Sequence, residues 1–215
     1  MTMAFPTRLY AIVDAAMASR AGWDPARLAR VYIDAGVRVL QLRAPEVDGK
    51  VVLRWCQEIV SAAADSGAQV IVNDRCDLAM LAGADGVHLG QGDLPAVEAR
   101  RLLGGAAVIG LSTHDDSQVR EALRCPVSYI ASGPVFDTRT KNTGYAAVGL
   151  DAVRRTASAA GDRPVVAIGG ITLDTAPAVL EAGAQAVAVI ADLLATGNPS
   201  ARVREYLKAL GEPRG

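Results

Sequence analysis

The chain alternates short apolar runs with longer amphipathic stretches. The runs are LYAIVD (9–14), VRVLQLR (37–43), QVIVND (69–74), GVHLG (86–90), VIGLST (108–113), YIASGPV (129–135), PVVAIGG (164–170) and AVAVIA (186–191). Each has strand length and β-branched enrichment, and most are apolar on both alternations, as a strand covered on both faces must be. Between them, segments such as PARLARVYIDAG (25–36), VVLRWCQEIVSAAADSG (51–67) and TAPAVLEAGA (175–184) place apolar residues three and four apart, and several close on glycine. That is helical periodicity with a helix-stop signal. Eight strands, each followed by a helix, within 215 residues predict an α/β fold, a single-domain (β/α)8 TIM barrel. A doubly wound sheet is the rival, but eight regular units without a long insertion favour closure. No linker or low-complexity segment interrupts the alternation, so residues 1–215 are expected to form one domain.

A barrel concentrates chemistry at the C-terminal ends of its strands and in the loops that follow. The polar residues collect there. The second run ends in Gln41 and Arg43, the third in Asn73 and Asp74, and the fourth in His88, with Gln91 and Asp93 just beyond. The fifth leads to Ser112 and His114, and the sixth to Thr138, Thr140 and Lys141. The last two end in Gly169–Gly170 and Ile190–Ala191.

Composition narrows the class. Hydrophobic residues make up 51% and charged residues 21%, a globular balance, while 4% aromatics leave the core to Ala, Val, Leu and Ile. Lys+Arg 22 against Asp+Glu 23 gives a net charge of -1, which argues against nucleic acid as a partner and leaves room for a small positive pocket. Cys56, Cys76 and Cys125 lie far apart without CxxC spacing, so neither disulfides nor a zinc site is expected, and a reducing cytoplasm fits. The start shows no signal-peptide pattern and no apolar run reaches membrane-spanning length. A soluble cytoplasmic protein without membrane contact is expected, and a homo-oligomer is left open.

Asp74 and Asp93 would close neighbouring strands about 4.8 Å apart, so both carboxylates could reach one ion. Two carboxylates plus substrate phosphates is the usual way of holding magnesium. The alternative is that Asp74 caps a helix starting near Arg75 and Asp93 caps one starting at Pro95. Arg43, Asn73, Ser112 and Lys141 would reach the same mouth from four strands, and beside a bound cation they suggest a pyrophosphate site. Gly169–Gly170 and the amides after the eighth strand suggest a second anion site, a phosphate cup, to which Thr138 and Thr140 could add hydroxyls. A tight turn alone would also explain the glycines. His88 and His114 lack an acidic partner at triad spacing, and His88 reads as pocket lining or core.

The strings QLR (41–43), VNDR (72–75), GADGVHLGQGDLP (83–95), GLSTH (110–114), GPVFDTRTK (133–141) and AIGGIT (167–172) resemble the thiamine-phosphate synthase family along nearly the whole chain. The thiazole tautomerase family shares several of them. The resemblance implies a transferase that joins 4-amino-2-methyl-5-pyrimidinylmethyl pyrophosphate to 4-methyl-5-(2-phosphooxyethyl)thiazole, giving thiamine phosphate and pyrophosphate. It implies magnesium on Asp74 and Asp93. It also implies pyrimidine pyrophosphate on Gln41, Arg43, Asn73, Ser112 and Lys141, with Arg43, Ser112 and Lys141 catalytic. Thiazole phosphate would lie on Thr138, Thr140, Gly170 and the amides of Ile190 and Ala191.

Three positions depart from the family pattern. Gln-x-Arg-x-Lys here reads Gln41-Leu42-Arg43-Ala44-Pro45, so a cation is replaced by proline; either pyrophosphate binding is weakened, or Lys50 in the following loop folds back to compensate. Asp137 precedes Thr138 where Pro or Ala is usual, and Ala191 stands where Ser is common. The competing readings are a thiazole tautomerase-like isomerase and a non-catalytic binder of phosphorylated thiamine precursors. Pro134, where tautomerases tend to carry histidine, weakens the first, and retention of both aspartates counts against the second.

Overall fold

The computed structural model describes residues 5–138 and 144–211. The eight expected strands are all present: β1 (Leu9–Asp14), β2 (Val39–Arg43), β3 (Gln69–Asn73), β4 (Gly86–Leu89), β5 (Val108–Thr113), β6 (Tyr129–Ser132), β7 (Val165–Ile168) and β8 (Ala186–Val189). Every neighbouring pair is parallel, and β8 returns to pair with β1 through Leu9–Val187, Tyr10–Ala188 and Ala11–Val189. The sheet is a closed barrel in sequence order. Closure settles the choice against the doubly wound sheet.

The helices among the described residues are α1 (Ala15–Arg20), α2 (Pro25–Asp34), α3 (Gly49–Ala63), α4 (Cys76–Ala82), α5 (Ala96–Leu103), α6 (Asp116–Ala122), α7 (Gly149–Ala160), α8 (Ala176–Glu181) and α9 (Pro199–Leu210), with a 3-10 turn over Ala191–Leu194. The simple one-helix-per-strand count therefore fails at both ends of the chain, where β1 is followed by two helices and β8 by the 3-10 turn and α9. Local chemistry explains the extra break: Asp14 caps α1 through the Met17 amide at 3.0 Å, and Asp24 caps α2 through the Arg27 amide at 3.0 Å, with Pro25 in the first turn.

Three strands stop two or more residues short of their apolar runs. Beyond β6, Pro134 has no N–H to give a ladder, and the chain instead docks on the next strand through the Val135 amide to the Ile168 carbonyl at 2.8 Å. Beyond β7, Gly169 and Gly170 take φ of 104° and 64°, outside strand geometry. Beyond β8, Ile190 turns into the 3-10 turn.

Strand alternation sorts the residues into two environments. Leu9, Ala11, Val13, Leu40, Leu42, Val70 and Val72 belong to the outer layer, packed with the helices. Tyr10, Ile12, Val39, Ile71, Tyr129, Ala131, Val166, Ala186 and Ala188 fill the barrel interior together with Phe5. Continuing that inward alternation toward the strand ends gives Gln41 and Arg43, Asn73, His88, Ser112, Ile168 and Ile190. Period two thus carries an apolar plug up into a polar mouth.

No helix among the described residues is long and apolar enough to cross a membrane.

Candidate functional site

A cavity of about 560 Å³ opens at this end of the barrel. Its lining includes Gln41, Arg43, Asn73, His88, Ser112, His114, Thr138, Gly170, Ile190 and Ala191, all singled out from the sequence, and also Met17, Arg20, Ile168 and Asp192. Thr140 and Lys141 lie outside the described residues.

The wall made by β1 to β5 is built from side chains. Arg43 ends β2 and its Nη1 is hydrogen-bonded to Asp14 Oδ2. Asp14 is 4% exposed and also caps α1, so its two oxygens fix the arginine and the helix together. The buried Arg43 Nε has no hydrogen-bond partner among the described residues. A buried donor without an acceptor is costly in the empty protein and is relieved by an anion in the cavity. Gln41 is held by a hydrogen bond from Nε2 to Tyr10 Oη at 2.8 Å, and Ser112 Oγ lies 2.9 Å from His88 Nε2. The sequence reading gave the histidines no orienting partner, and here it is corrected. His88 is buried on the cavity wall between Ser112 and the Tyr129 hydroxyl, while His114 Nδ1 donates to the Gly133 carbonyl at 2.5 Å and its ring stacks on Tyr145. Partners from other strands are invisible to a search by sequence spacing. Asp14 and Tyr10 were missed for the same reason, since the partner of Asp14 comes from β2 and those of Tyr10 from β2 and β6.

The opposite wall, from β6 to β8, is mostly backbone. Gly169 and Gly170 are required twice over, because both φ values are positive and both approach other chain closely. A Cβ on Gly169 would lie 2.5 Å from Pro134 Cβ, and one on Gly170 would lie 2.6 Å from the Asp137 carbonyl oxygen. The Phe136 amide donates to the Gly169 carbonyl at 3.0 Å, which fastens the segment leading to Thr138 onto the glycine turn. The 3-10 turn then opens at Ala191, bringing its first residues to the cavity.

Asp74 and Asp93 lie in the segments following β3 and β4, outside the cavity lining itself. Neither caps a helix. The residue before α4 is Arg75 and the residue before α5 is Pro95, and no side chain caps either helix. Asp74 has a φ of 63°, unusual for a residue with a Cβ, and its amide donates to the His88 carbonyl at 2.8 Å. Asp93 Oδ2 accepts the Gly90 amide at 2.6 Å. Both carboxylates act on one neighbour: the Cys76 thiol is pushed up chiefly by burial, then by Asp77, and further by Asp93 and Asp74. Among the described residues no three acidic, histidine or cysteine side chains cluster as a complete metal cage. Two oxygen-donor carboxylates, free of capping duty, suit a hard cation that takes its remaining ligands from phosphate and water.

Lys50 does not lie in a loop. It occupies the first turn of α3, where its amide is bound to Asp48 Oδ1 at 2.9 Å, and its exposed side chain is absent from the cavity lining. The Asp48 cap starts the helix earlier than apolar spacing alone suggests. Pro45 is exposed in the preceding turn.

Residues 9–193 match the thiamine monophosphate synthase family. The chain is 45% identical over 204 residues to a thiamine-phosphate synthase of Acidothermus cellulolyticus, covering 94% of each chain. It is 42% identical over 206 residues to that of Thermus thermophilus, covering 94% of this chain and 97% of the other. Among solved structures, the thiamine phosphate pyrophosphorylase of Pyrococcus furiosus superposes with a TM-score of 0.85 at 26% identity over 95% of both chains. A tryptophan synthase α-subunit from a hyperthermophile, at 14% identity and a TM-score of 0.70, shares the fold alone.

Proposed function

The chain belongs to the thiamine monophosphate synthase family and is a transferase that releases pyrophosphate; from that premise we propose how its residues divide the work of making thiamine phosphate. The carrying observation is one cavity with two differently built walls, a side-chain wall with an unsatisfied guanidinium donor and a backbone wall shaped by two glycines. Two substrates, each bearing phosphate, need two such walls.

The pyrimidinylmethyl pyrophosphate lies against the first wall, with Gln41 on the ring and Arg43, Asn73, Ser112 and Lys141 on the pyrophosphate. The thiazole phosphate lies on the second, held by Gly170, the amides of Ile190 and Ala191, and the hydroxyls of Thr138 and Thr140. The carbon–oxygen bond to pyrophosphate breaks, its electron pair leaves with the pyrophosphate, and the thiazole nitrogen donates the pair that forms the new carbon–nitrogen bond. The amino group on the pyrimidine stabilises positive charge at the reacting methylene, so cleavage runs ahead of attack. What the chain must supply is charge for the leaving group and alignment of the nucleophile. Arg43, Ser112 and Lys141 do the first, and the second wall does the other. No covalent nucleophile is called for.

Asp74 and Asp93 would hold magnesium, since both are oxygen donors with no capping role. Bound there, the ion would offset part of the pyrophosphate charge. The relation to thiazole tautomerases remains one of shared strings, and Pro134 speaks against an isomerase. One barrel domain acting in the cytoplasm on small molecules completes the reading.

The test is turnover of both substrates to thiamine phosphate, with magnesium and with chelator. Asp74→Asn and Asp93→Asn should each fold and lose at least about 100-fold in kcat, because the leaving group's charge goes unmatched. Full turnover in chelator, or in both variants, sinks the magnesium-assisted mechanism.

A further inference from the structure

Five side chains form one unbroken hydrogen-bonded file across the barrel interior, and the mechanism above uses only its two ends. Gln41 Nε2 donates to Tyr10 Oη at 2.8 Å, the Tyr10 and Tyr129 hydroxyls are 3.0 Å apart, Tyr129 Oη is 2.9 Å from His88 Nδ1, and His88 Nε2 is 2.9 Å from Ser112 Oγ. Four of the five are buried, and Ser112 is partly so. Gly110 makes room for the middle of the file, since a Cβ there would lie 2.1 Å from Tyr129 Cζ and 2.6 Å from His88 Nδ1.

Counting protons gives the file a direction. An amide nitrogen can only donate, so Tyr10 accepts from Gln41 and must place its single proton on Tyr129. Tyr129 then gives its own proton to His88 Nδ1. The neutral ring therefore carries its proton on Nε2 and donates it to Ser112 Oγ. Ser112, already accepting, has its own proton free to turn into the cavity. The reverse order would strand the Tyr10 proton in the interior without an acceptor, a costly arrangement. Burial holds both phenols protonated by pushing them far above their ordinary range, so neither enters the file as an anion.

We propose that Tyr10, Tyr129 and His88 are positioning residues of a polarity relay that presents Ser112 to phosphate oxygen as a hydrogen-bond donor, under the control of the Gln41 amide on the other side of the mouth. The same direction leaves Gln41 Oε1 to accept from an amino group, so the pyrimidine contact and the pyrophosphate contact are set by one file. The relay rests on the reading that Ser112 meets pyrophosphate, and its test keeps the two apart.

The chain has only two histidines, His88 and His114, so their ring nitrogens can be assigned by 15N NMR in the ligand-free protein at mildly alkaline pH. The relay requires His88 neutral, with the proton on Nε2 and Nδ1 bare. A proton on Nδ1, or on both nitrogens, overturns it whatever the ligand does. The second measurement is calorimetric binding of inorganic pyrophosphate with magnesium to the wild type, Tyr10→Phe, Ser112→Ala and the double variant. Tyr10 stands three hydrogen bonds from Ser112 along the file, yet Tyr10→Phe should weaken binding about 3- to 10-fold, the worth of one ordinary hydrogen bond. In the Ser112→Ala background the same change should add nothing. Additive losses, as from a merely structural role, overturn the relay. If the wild type does not bind pyrophosphate, the substrate reading fails while the tautomer still decides the relay, and the same spectrum decides it should Tyr10→Phe not fold.

Discussion

The two walls of the cavity, both proposed to hold phosphate, are built by opposite means. From β1 to β5 the contacts are side chains, each braced by another side chain from a different strand: Arg43 by Asp14, Gln41 by Tyr10, Ser112 by His88. From β6 to β8 the contacts come largely from main chain whose path is set by Gly169 and Gly170 and fastened through Val135 and Phe136. The difference follows the proposed chemistry. A leaving group gains charge as its bond breaks, and charged groups fixed in advance reward that change. The phosphate of the nucleophile keeps its charge throughout, and oriented amides suffice to anchor it. The first wall should therefore be sensitive to what its side chains are, and the second to the shape of its backbone.

Breaking the first wall's brace is the severest test of that contrast. Asp14→Asn leaves an acceptor for the Met17 amide but removes the charge opposing Arg43, whose side chain is 16% exposed. An arginine left without its partner in such a place costs about 3 kcal/mol of stability. Thermal melts should show the loss, and magnesium pyrophosphate should restore more stability to the variant than to the wild type, because the ligand supplies the missing countercharge. kcat should fall while the KM for thiazole phosphate changes little. Equal stabilisation of both proteins by pyrophosphate would mean that Arg43 does not face the anion.

The second wall breaks at Gly170. Gly170→Ala asks a residue with a Cβ to hold φ at 64° with the Asp137 carbonyl oxygen only 2.6 Å away, so the segment carrying Thr138 must shift. A strain of about 1–3 kcal/mol should appear as a KM for thiazole phosphate raised roughly 5- to 150-fold. Pyrophosphate affinity, measured by calorimetry, should stay within about twofold. A variant that loses both substrates equally would join the two walls into one.

How much of this was legible in the sequence follows the same division. Period-two runs separated by period-3.6 segments expose strand count and order directly, and the barrel with its polar mouth follows from them. Gln41, Arg43, Asn73 and Ser112 were readable because each is a polar residue at the end of an apolar strand, where inward alternation has one place to put it. Asp14 was hidden by its double duty, cap and counter-ion, at a position that reads as an ordinary strand end. Tyr10 and Tyr129 were hidden, and His88 was readable as pocket lining or core but without its partners, because those contacts arise only when β1, β6 and β4 meet across the barrel. The capping alternative for Asp74 and Asp93 could not be settled from sequence either, since a cap is a matter of one amide's direction. Lys50 misled because five residues of separation say nothing about where a helix begins, and Asp48 begins it there.

The smallest expected effect lies at Pro45, and it sharpens the comparison on the first wall. If side-chain charge is what that wall supplies, adding a cation two residues beyond Arg43 should help, and removing one outside the cavity lining should not. Pro45 is exposed in its turn, so a lysine there acts through solvent and contributes at most about 1 kcal/mol. Losing the proline costs about 0.4–1 kcal/mol by loosening the unfolded chain, which lowers stability and leaves the encounter with pyrophosphate untouched. Pro45→Lys should accordingly raise kcat/KM for the pyrimidine pyrophosphate by about 2- to 5-fold, with a slightly lower melting temperature. The gain should shrink as salt is added, since an exposed charge is screened within about 10 Å at moderate ionic strength. Lys50→Ala should change kcat/KM by less than about twofold, because Lys50 is exposed in the first turn of α3 and is not part of the cavity lining. A substantial loss in Lys50→Ala, with no gain in Pro45→Lys, would show that α3 bends its first turn toward bound substrate and that the missing charge had been replaced all along.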